Sequence, residues 1–366
     1  MTFWKKVFLS FAIIIVILFI SIIGFLWWNH YPPLPLFSEG IIKQVAPVKG
    51  SAKSLDQLCV VTYNIHFGIG YDWKRKDALH KQGFIQRLDR IAKILVEADA
   101  DIVCLQEVDF DSQRTQRIDQ AEHIAKKAGF AFVAKATHLR ERFHPSIQGL
   151  HGPIDHGICV LSKFPITQNQ VTIFPHPKEV PFYLRWIFTP HGMQEVKIKH
   201  PKGYIHVFNA HLEPWSQRTR EAEIEKMVAL TKQVNTPIII AGDFNTIPPE
   251  TPKKMGFHMN DAPWFIDPTK WDIENESTIK TLRALPTISE AIPPKQFLAD
   301  EKASCTFPAL DPIEKLDYIF ALNGLKITKG FVFHAAKTAS DHLPLVAYLV
   351  FYPANIPPIS MLKTNQ

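Results

Sequence analysis

Residues 238–245 read Ile-Ile-Ile-Ala-Gly-Asp-Phe-Asn. The short run of β-branched and apolar residues at 238–241 predicts a strand that is buried on both faces. Polar residues follow directly, so Asp243 and Asn245 stand where a loop exposes side chains on a rigid frame. Taken alone, Gly242-Asp243 has an ordinary explanation as a tight turn. The interpretation of this segment therefore depends on whether the pattern recurs.

The same pattern, a buried strand followed by polar side chains, does recur along the chain. The further signatures are Tyr63-Asn64-Ile65-His66, Leu105-Gln106-Glu107-Val108, Asn209-Ala210-His211-Leu212, Lys315-Leu316-Asp317-Tyr318 and Ser340-Asp341-His342-Leu343-Pro344. Together they supply carboxylates and amides for a hard cation and histidines that can donate to a phosphoryl oxygen. Because no Gly-rich phosphate loop, Gly-x-Ser-x-Gly elbow or His-Glu-x-x-His helix competes, the set indicates metal-dependent phosphoester chemistry.

Strand-like and helix-like segments alternate over the same region. Helices are predicted at 84–98, where apolar residues recur on one face, and at 221–234. Strands are predicted at 59–63, 102–105, 130–134, 158–161, 195–199, 204–210, 238–241, 316–320, 331–333 and 345–350. This mixture, with no internal repeat, predicts one α/β sandwich domain over 54–352. Residues 251–302 are expected to form an elaborated loop region, and 353–366 a C-terminal tail.

The N-terminus predicts a membrane anchor. A short tail, residues 1–6, precedes an unbroken apolar run at 7–28 that is long enough to cross a bilayer core of about 30 Å. The length of the run and its ending in Trp27-Trp28 favour an uncleaved signal anchor over a cleaved signal peptide. Lys5 and Lys6 predict a cytoplasmic N-terminus and a catalytic domain on the outer side. Residues 29–53 contain four prolines and are expected to form an extended tether.

Composition says less about function than the polar signatures and the N-terminal segment do. The formal charge of +6 suits an anionic partner, but the basic residues are scattered, as on an ordinary solvated surface. Cys59, Cys104 and Cys159 fall inside apolar runs and are predicted to be core residues. Since no C-x-x-C pair is present, a zinc site is not expected. No feature of the sequence indicates a protein partner.

In these signatures the sequence resembles the endonuclease/exonuclease/phosphatase superfamily. The order Tyr-Asn, Gln-Glu, Asn-x-His, Gly-Asp-Phe-Asn, Leu-Asp-Tyr and Ser-Asp-His is the family order, and it runs from Tyr63 to Pro344. The resemblance implies a deoxyribonuclease-like four-layer α/β/β/α sandwich, here preceded by one transmembrane helix. His66 stands where abasic-site endonucleases carry an acidic residue. The form Asn-Ile-His-x-Gly-x-Gly is instead similar to bacterial membrane-associated and lipid-directed branches.

The resemblance also implies roles for individual residues. Glu107 is expected to ligate Mg²⁺ or Mn²⁺, with help from Asn64 and Asp341. Asp243 is expected to orient or deprotonate the attacking water, and Asn245 to position the scissile phosphate. The remaining implied residues are His211 and His342, which donate to phosphate oxygens, and Asp317, which orients His342.

Several residues retain two interpretations. His66 fits a phosphate contact and a structural loop histidine equally well. Arg218 and Arg220 are candidates for binding an anionic substrate, but a surface role at the start of a helix explains them as well. The apolar stretch at 180–188 is explained by a β-hairpin packed on the core, or by an apolar lip that contacts the bilayer or a lipid substrate.

These residues are compatible with three functions. The favoured one is hydrolysis of a membrane-proximal phosphodiester, such as a phospholipid or sphingolipid headgroup. The alternative is a membrane-anchored nuclease acting on DNA or RNA, which the basic charge supports but the lack of interleaved aromatic and basic residues does not. A catalytically inactive binding module is disfavoured because the full set of polar residues is present.

Overall fold

The computed structural model describes residues 3–30, 33–48, 55–71, 79–145, 152–185, 188–251 and 274–352, together with 263, 267 and 272. In chain order its strands are β1 (Phe37–Glu39), β2 (Ile41–Gln44), β3 (Gln57–Asn64), β4 (Ile102–Asp109), β5 (Phe132–His144), β6 (Gly152–Ser162), β7 (Ile166–Ile173), β8 (Gly192–His200), β9 (Gly203–His211), β10 (Ile238–Asp243), β11 (Ser289–Glu290), β12 (Asp317–Leu322), β13 (Leu325–Val332) and β14 (Leu345–Phe351). The α-helices are α1 (Phe3–His30), α2 (Lys81–Glu97), α3 (Gln120–Ala128), α4 (Gln217–Thr231), α5 (Thr278–Arg283), α6 (Pro294–Ala299) and α7 (Glu301–Ser304).

The strands form two seven-stranded sheets that pack face to face. One sheet has the order β13-β14-β3-β4-β6-β5-β2 and the other β1-β7-β8-β9-β10-β12-β11. Only β3 with β4 and β9 with β10 pair in parallel among the described strands. Central strands such as β3, β4 and β10 are rich in apolar residues and buried along nearly their whole length, because both of their faces are covered.

Helices cover the two outer faces. Helices α2 and α3 bury apolar stripes against the first sheet, and α4 and α5 do so against the second. In α2 the stripe includes Phe84, Leu88, Ile91 and Leu95, and the helix begins where His80 Nδ1 accepts the Gly83 N–H at 2.9 Å. The predicted four-layer α/β/β/α sandwich is therefore confirmed, and an apolar N-terminal helix precedes it.

One edge of the sandwich carries most of the polar signatures. Strands β3, β4, β9 and β10 end there, whereas β12 begins there in register with the end of β10. Strand β14 begins at the same edge, where Leu345 pairs with Thr62 of β3. Because side chains at the ends of adjacent strands converge, these signatures meet in space although they are far apart in sequence. We call this the polar edge.

The expected tether is wrong for residues 37–44. Strand β1 pairs with β7 at the edge of one sheet, and β2 pairs with β5 at the edge of the other. These strands are only three and four residues long and largely exposed, so no buried alternating pattern marks them in the sequence, and backbone pairing with existing sheet edges holds them in place. The connection from α1 therefore runs along both sheets.

Two other predictions of local structure need correction. Residues 180–185 form turns rather than a β-hairpin, and Phe182 is 81% exposed. The described part of 251–302 is not irregular throughout, because α5, β11, α6 and the start of α7 lie within it. The predicted tail at 353–366 lies outside the described residues. The four cysteines form no disulfide and are buried, which confirms the core assignment of Cys59, Cys104 and Cys159.

Candidate active site

Strand pairing brings the Asp243 signature against two others. Asp243 is the register partner of His211 on β9 and of Asp317 on β12. Gly242 has φ of 152°, and a Cβ there would overlap the carbonyl oxygen of Ala210. A glycine at this position therefore permits the close approach that places Asp243 beside its partners.

Asp243 is buried, and both of its carboxylate oxygens have partners. Asn64 Nδ2 donates to Oδ2 at 3.0 Å, and the backbone N–H of Asn245 donates to Oδ1 at 3.0 Å. Two histidines approach Oδ2, with Nε2 of His342 at 3.6 Å and Nε2 of His211 at 3.7 Å. Burial raises the pKa of Asp243 to about 7, against the attraction of His342. A carboxylate with this pKa is suited to exchange a proton with water near neutral pH.

His342 is held by a second carboxylate. Its Nδ1 lies 2.9 Å from Oδ2 of Asp317, while Oδ1 of Asp317 has no hydrogen-bond partner in the described structure. Burial alone lowers the pKa of a histidine, but attraction to Asp317 and Asp243 outweighs it and raises the pKa of His342 to about 10. His342 is therefore a cationic donor at neutral pH.

His211 has the opposite protonation state. Burial and repulsion from His191 hold the pKa of His211 well below its usual range. The His191 ring packs edge-on against His211 with centroids 4.7 Å apart, and its Nδ1 lies 3.4 Å from Oε2 of Glu213. One carboxylate oxygen of Asp243 is thus flanked by a neutral and a charged imidazole, which is the separation of protonation states that acid–base chemistry requires.

Asn64 connects this acid–base group to Glu107. Its Nδ2 donates to Oε1 of Glu107 at 3.0 Å, and its Oδ1 accepts the backbone N–H of His66 at 3.0 Å. Burial opposes the ionisation of Glu107, but attraction to His66 and the hydrogen bond from Asn64 outweigh it and lower the pKa of Glu107, against repulsion from Asp341. Glu107 therefore offers an anionic oxygen donor within the electrostatic range of a second carboxylate, Asp341.

The donor set fits a hard divalent cation at Glu107 and Asp341. The negative charges of these two carboxylates repel each other, and Asp341 Oδ2 also lies 3.2 Å from Nδ1 of His66. Oxygen ligands of this kind suit Mg²⁺ or Mn²⁺. Donor atoms of Asp243, Asp317 and His342 also lie within 4.8 Å of one another. Within this second group both ring nitrogens of His342 face carboxylates, Nδ1 toward Asp317 and Nε2 toward Asp243.

Strained backbone marks three residues of the site. Glu107, Asn245 and His66 are non-glycine residues with positive φ, of 53°, 48° and 46°. Such conformations are costly and persist where the surroundings fix them, often at functional sites. The side-chain amide of Asn245 donates to the carbonyl of Leu212 at 2.9 Å, which ties it to the loop after His211.

The two candidate arginines, Arg218 and Arg220, differ in exposure. Arg218 is exposed in the first turn of α4. Arg220 is buried, and its Nε and Nη2 bond both oxygens of Glu276 at 2.9 and 3.1 Å, while Nη1 donates to the carbonyl of Glu213. A substrate-binding role for Arg220 is therefore corrected, because its guanidinium is occupied within the protein.

Sequence reasoning did not assign roles to the residues that join the two sheets beneath the site. Gln106 Nε2 donates to Oδ1 of Asn209 at 2.7 Å, and Asn209 Nδ2 donates to the carbonyl of Cys159 at 3.0 Å. Both amides are buried parts of the Gln-Glu and Asn-x-His signatures. They lie between the two sheets, and their hydrogen bonds fix the position of Glu107 along β4 relative to that of His211 on β9. The contribution of His191 had no sequence signal, since no strand pattern surrounds it.

Comparison with known proteins agrees with the geometry. Residues 61–342 match the model of the Endonuclease/Exonuclease/phosphatase family. An endonuclease/exonuclease/phosphatase from Beutenbergia cavernae superposes with a TM-score of 0.59 at 21% identity, covering 81% of this chain and 72% of that one. A mannosyl-6-phosphatase from Bacteroides thetaiotaomicron superposes with a TM-score of 0.51 at 19% identity, covering 80% of this chain and 100% of that one. At these low identities the two superpositions show a shared fold and nothing more about function. No curated protein sequence gave a match.

Proposed function

The chain belongs to the endonuclease/exonuclease/phosphatase family, and from this membership and the polar-edge cluster we propose that it is a metal-dependent phosphoester hydrolase. The observation that carries the proposal is the position of Asp243 between the neutral His211 and the cationic His342. In-line attack of water on phosphorus needs a group that takes or orients the proton of water and donors for the developing charge. This cluster contains both.

The residues then take these roles. Asp243 orients the attacking water and receives its proton. His342 donates to a phosphate oxygen, and its orientation is fixed by Asp317. His211 and Asn245 contact the phosphate from the other side. Glu107 and Asp341, with Asn64 adjoining them, would hold Mg²⁺ or Mn²⁺, which supplies neutralisation of negative charge on the phosphate when it is bound. His66 lies beside Asp341 and Arg218 is exposed on α4, so both stay candidates for substrate contact.

We further propose that the enzyme is membrane-anchored and acts on a phosphodiester at the bilayer, such as a phospholipid or sphingolipid headgroup. Helix α1 is long and apolar enough to cross a membrane, and none of its most apolar stretch is buried in the protein. Lys5 and Lys6 before the apolar run support a cytoplasmic N-terminus and an outer catalytic domain. A reporter that functions only in the cytoplasm, fused to the C-terminus, should be inactive; activity would reverse this orientation.

A substrate panel tests the activity. Full-length protein in detergent is assayed with Mg²⁺, with Mn²⁺ and with EDTA on bis-p-nitrophenyl phosphate, sphingomyelin, phospholipid, a sugar phosphate, DNA and RNA. The sugar phosphate is included because one structural neighbour is a mannosyl-6-phosphatase. We expect turnover that EDTA abolishes and that is greater on lipid than on nucleic acid. Preference for DNA or RNA would favour the nuclease alternative, which the net charge of +6 supports.

Substitution of Asp243 tests the site. Asp243→Asn keeps the shape of the side chain but removes its ability to take a proton, so we expect a loss of at least ~10²-fold in kcat. Asp111→Asn is the matched control, because the Asp111 side chain is 61% exposed and pairs with Arg117 on the surface. Full activity in the Asp243 variant would show that the site has been assigned wrongly.

A further inference from the structure

Strand β5 extends beyond the polar edge. On β6, Gly157 pairs with Thr137 of β5 and with Val108 of β4, so Thr137 lies level with the irregularity in β4 that contains Glu107. From there β5 continues to His144, which pairs with Gly152 at the start of β6. At ~3.3 Å per residue the extension reaches up to roughly 20 Å past that level. The β5–β6 pair is therefore a projection on the side of the molecule where the active site opens.

The end of helix α1 contacts this projection. Asn29, which is 1% exposed, accepts the backbone N–H of Phe143 at 2.6 Å. The ring of Phe143 lies 6.2 Å from that of Phe25, and the guanidinium of Arg142 lies 5.4 Å above the ring of Trp28. Residues 3–25 of α1 are all exposed, so most of the helix stands clear of the domain. The end of α1 therefore lies at the tip of this projection, on the side of the molecule where the polar edge lies.

A second exposed apolar feature lies on the same edge. The loop between β7 and β8 leaves the sheet where Ile173 pairs with Gly192, and Gly192 in turn pairs with His211. This loop is on the same side of the sandwich as β5, because Asn169 of β7 donates to the carbonyl of Lys135 at 2.9 Å. Active site, helix end and loop therefore share one face of the molecule.

The described loop residues have the chemistry of a bilayer interface. We call residues 178–185 the aromatic loop. Phe182 and Tyr183 are 81% and 56% exposed, and their rings pack edge-on with centroids 5.5 Å apart. Lys178 and Arg185 are exposed on either side of them, with one exposed acid, Glu179. Exposed aromatic rings flanked by cations are typical of segments that enter the headgroup region of a membrane.

We infer that the polar edge faces the bilayer, with the aromatic loop inserted in the headgroup region as a second attachment beside α1. The occupant of this surface is the lipid bilayer itself, because the surface is continuous with the contact between β5 and the helix that enters it. This inference rests on the proposed membrane anchor and narrows the substrate to phosphate esters presented at the membrane surface. The aromatic loop acts by holding the site against the bilayer, outside the catalytic group.

Depth-dependent quenching tests the inference without any assay of activity. Tyr183→Cys is labelled with an environment-sensitive fluorophore in the full chain, which is reconstituted in vesicles of phosphatidylcholine and phosphatidylglycerol. Tyr204→Cys is the matched control, because Tyr204 is 40% exposed and lies at the start of β9, at the end of the sheet opposite the polar edge. The native cysteines are buried and do not compete for the label. Lipids that carry a spin label near the headgroup serve as quenchers.

We expect at least ~3-fold stronger quenching at position 183 than at position 204, with a blue shift of the emission at 183 alone. Equal quenching at the two positions, in protein that floats with the vesicles, would overturn the docking surface and leave the anchor and the hydrolase intact. Protein that fails to float would overturn the anchor and the inference together. Turnover of bis-p-nitrophenyl phosphate by both labelled variants, expected to match that of the unmodified chain, shows separately whether the hydrolase proposal holds.

Discussion

Two buried aspartate–histidine pairs lie near the polar edge and have nearly the same geometry. Nδ1 of His342 is 2.9 Å from Asp317, and Nδ1 of His156 is 2.8 Å from Asp109. They differ in what else contacts the carboxylate. Nε and Nη2 of Arg114 both donate to the carboxylate of Asp109 at 2.8 Å. By contrast, Oδ1 of Asp317 has no hydrogen-bond partner in the described structure.

Arg114 is the main difference between the two pairs. Burial opposes ionisation of Asp109, but Arg114 outweighs it and lowers the pKa of Asp109 well below its usual range. Arg114 Nη2 also lies 3.0 Å from His156 Nδ1, so ring and guanidinium compete for one carboxylate. Among the described contacts of Asp317, only His342 neutralises its charge, and that histidine keeps its proton. The carboxylate of Asp109 is therefore shared between Arg114 and His156, whereas Asp317 acts on His342.

Replacing the two histidines should give the largest contrast. His342→Ala removes the charged donor beside Asp243, and we expect kcat to fall by roughly 10³-fold. His156→Ala removes a partner that Asp109 can lose while keeping Arg114, so we expect kcat to stay close to that of the unmodified protein. Turnover of bis-p-nitrophenyl phosphate with Mg²⁺ measures both. Equal losses in the two variants would show that the pairs do not differ in function.

Replacing the two aspartates should divide activity from stability. Asp109→Asn leaves Arg114 with its charge buried and poorly compensated, which should lower the free energy of unfolding by about 3–5 kcal/mol while folded protein keeps its kcat. Asp317→Asn should lower kcat by roughly 10²-fold with a smaller loss of stability. It should also move the alkaline limb of the pH–rate profile to lower pH, because Asp317 raises the pKa of His342. An unchanged alkaline limb would contradict the role of Asp317 as a positioning residue.

Much of the site was predictable because its residues directly follow continuous apolar runs. Asn64, Glu107, His211 and Asp243 lie at or near the ends of strands that are largely buried on both faces, and such strands are visible in the sequence without knowledge of their neighbours. The polar residues after these strands were recognisable because each one interrupts an apolar run. Their mutual distances follow from strand register, which a single sequence does not reveal.

The remaining features depend on contacts between distant residues. The outer half of β5 contains buried His138 and Glu141 among exposed arginines, so no alternation of apolar residues marked it. Arg220 follows the His211 signature and resembled a substrate ligand, but its partner Glu276 is 56 positions away. Similarly, only the folded structure shows that Asp109 has an arginine and that Asp317 Oδ1 has no partner among the described residues.

The smallest predicted effect is a difference in how stability responds to acid. A carboxylate whose pKa is lowered by folding contributes stability above its unfolded pKa of about 4, and this is lost as pH falls toward the folded value. Asp109 is such a group, so the unmodified protein should lose on the order of 2 kcal/mol more than Asp109→Asn between about pH 5 and pH 2. Denaturant unfolding of both proteins in the same detergent measures it. Other carboxylates with lowered pKa, such as Glu213 and Glu276, remain in both proteins and cancel in the comparison. Parallel acid profiles would mean that Arg114 does not stabilise the charge of Asp109, and the distinction between the two pairs would then rest on His342 alone.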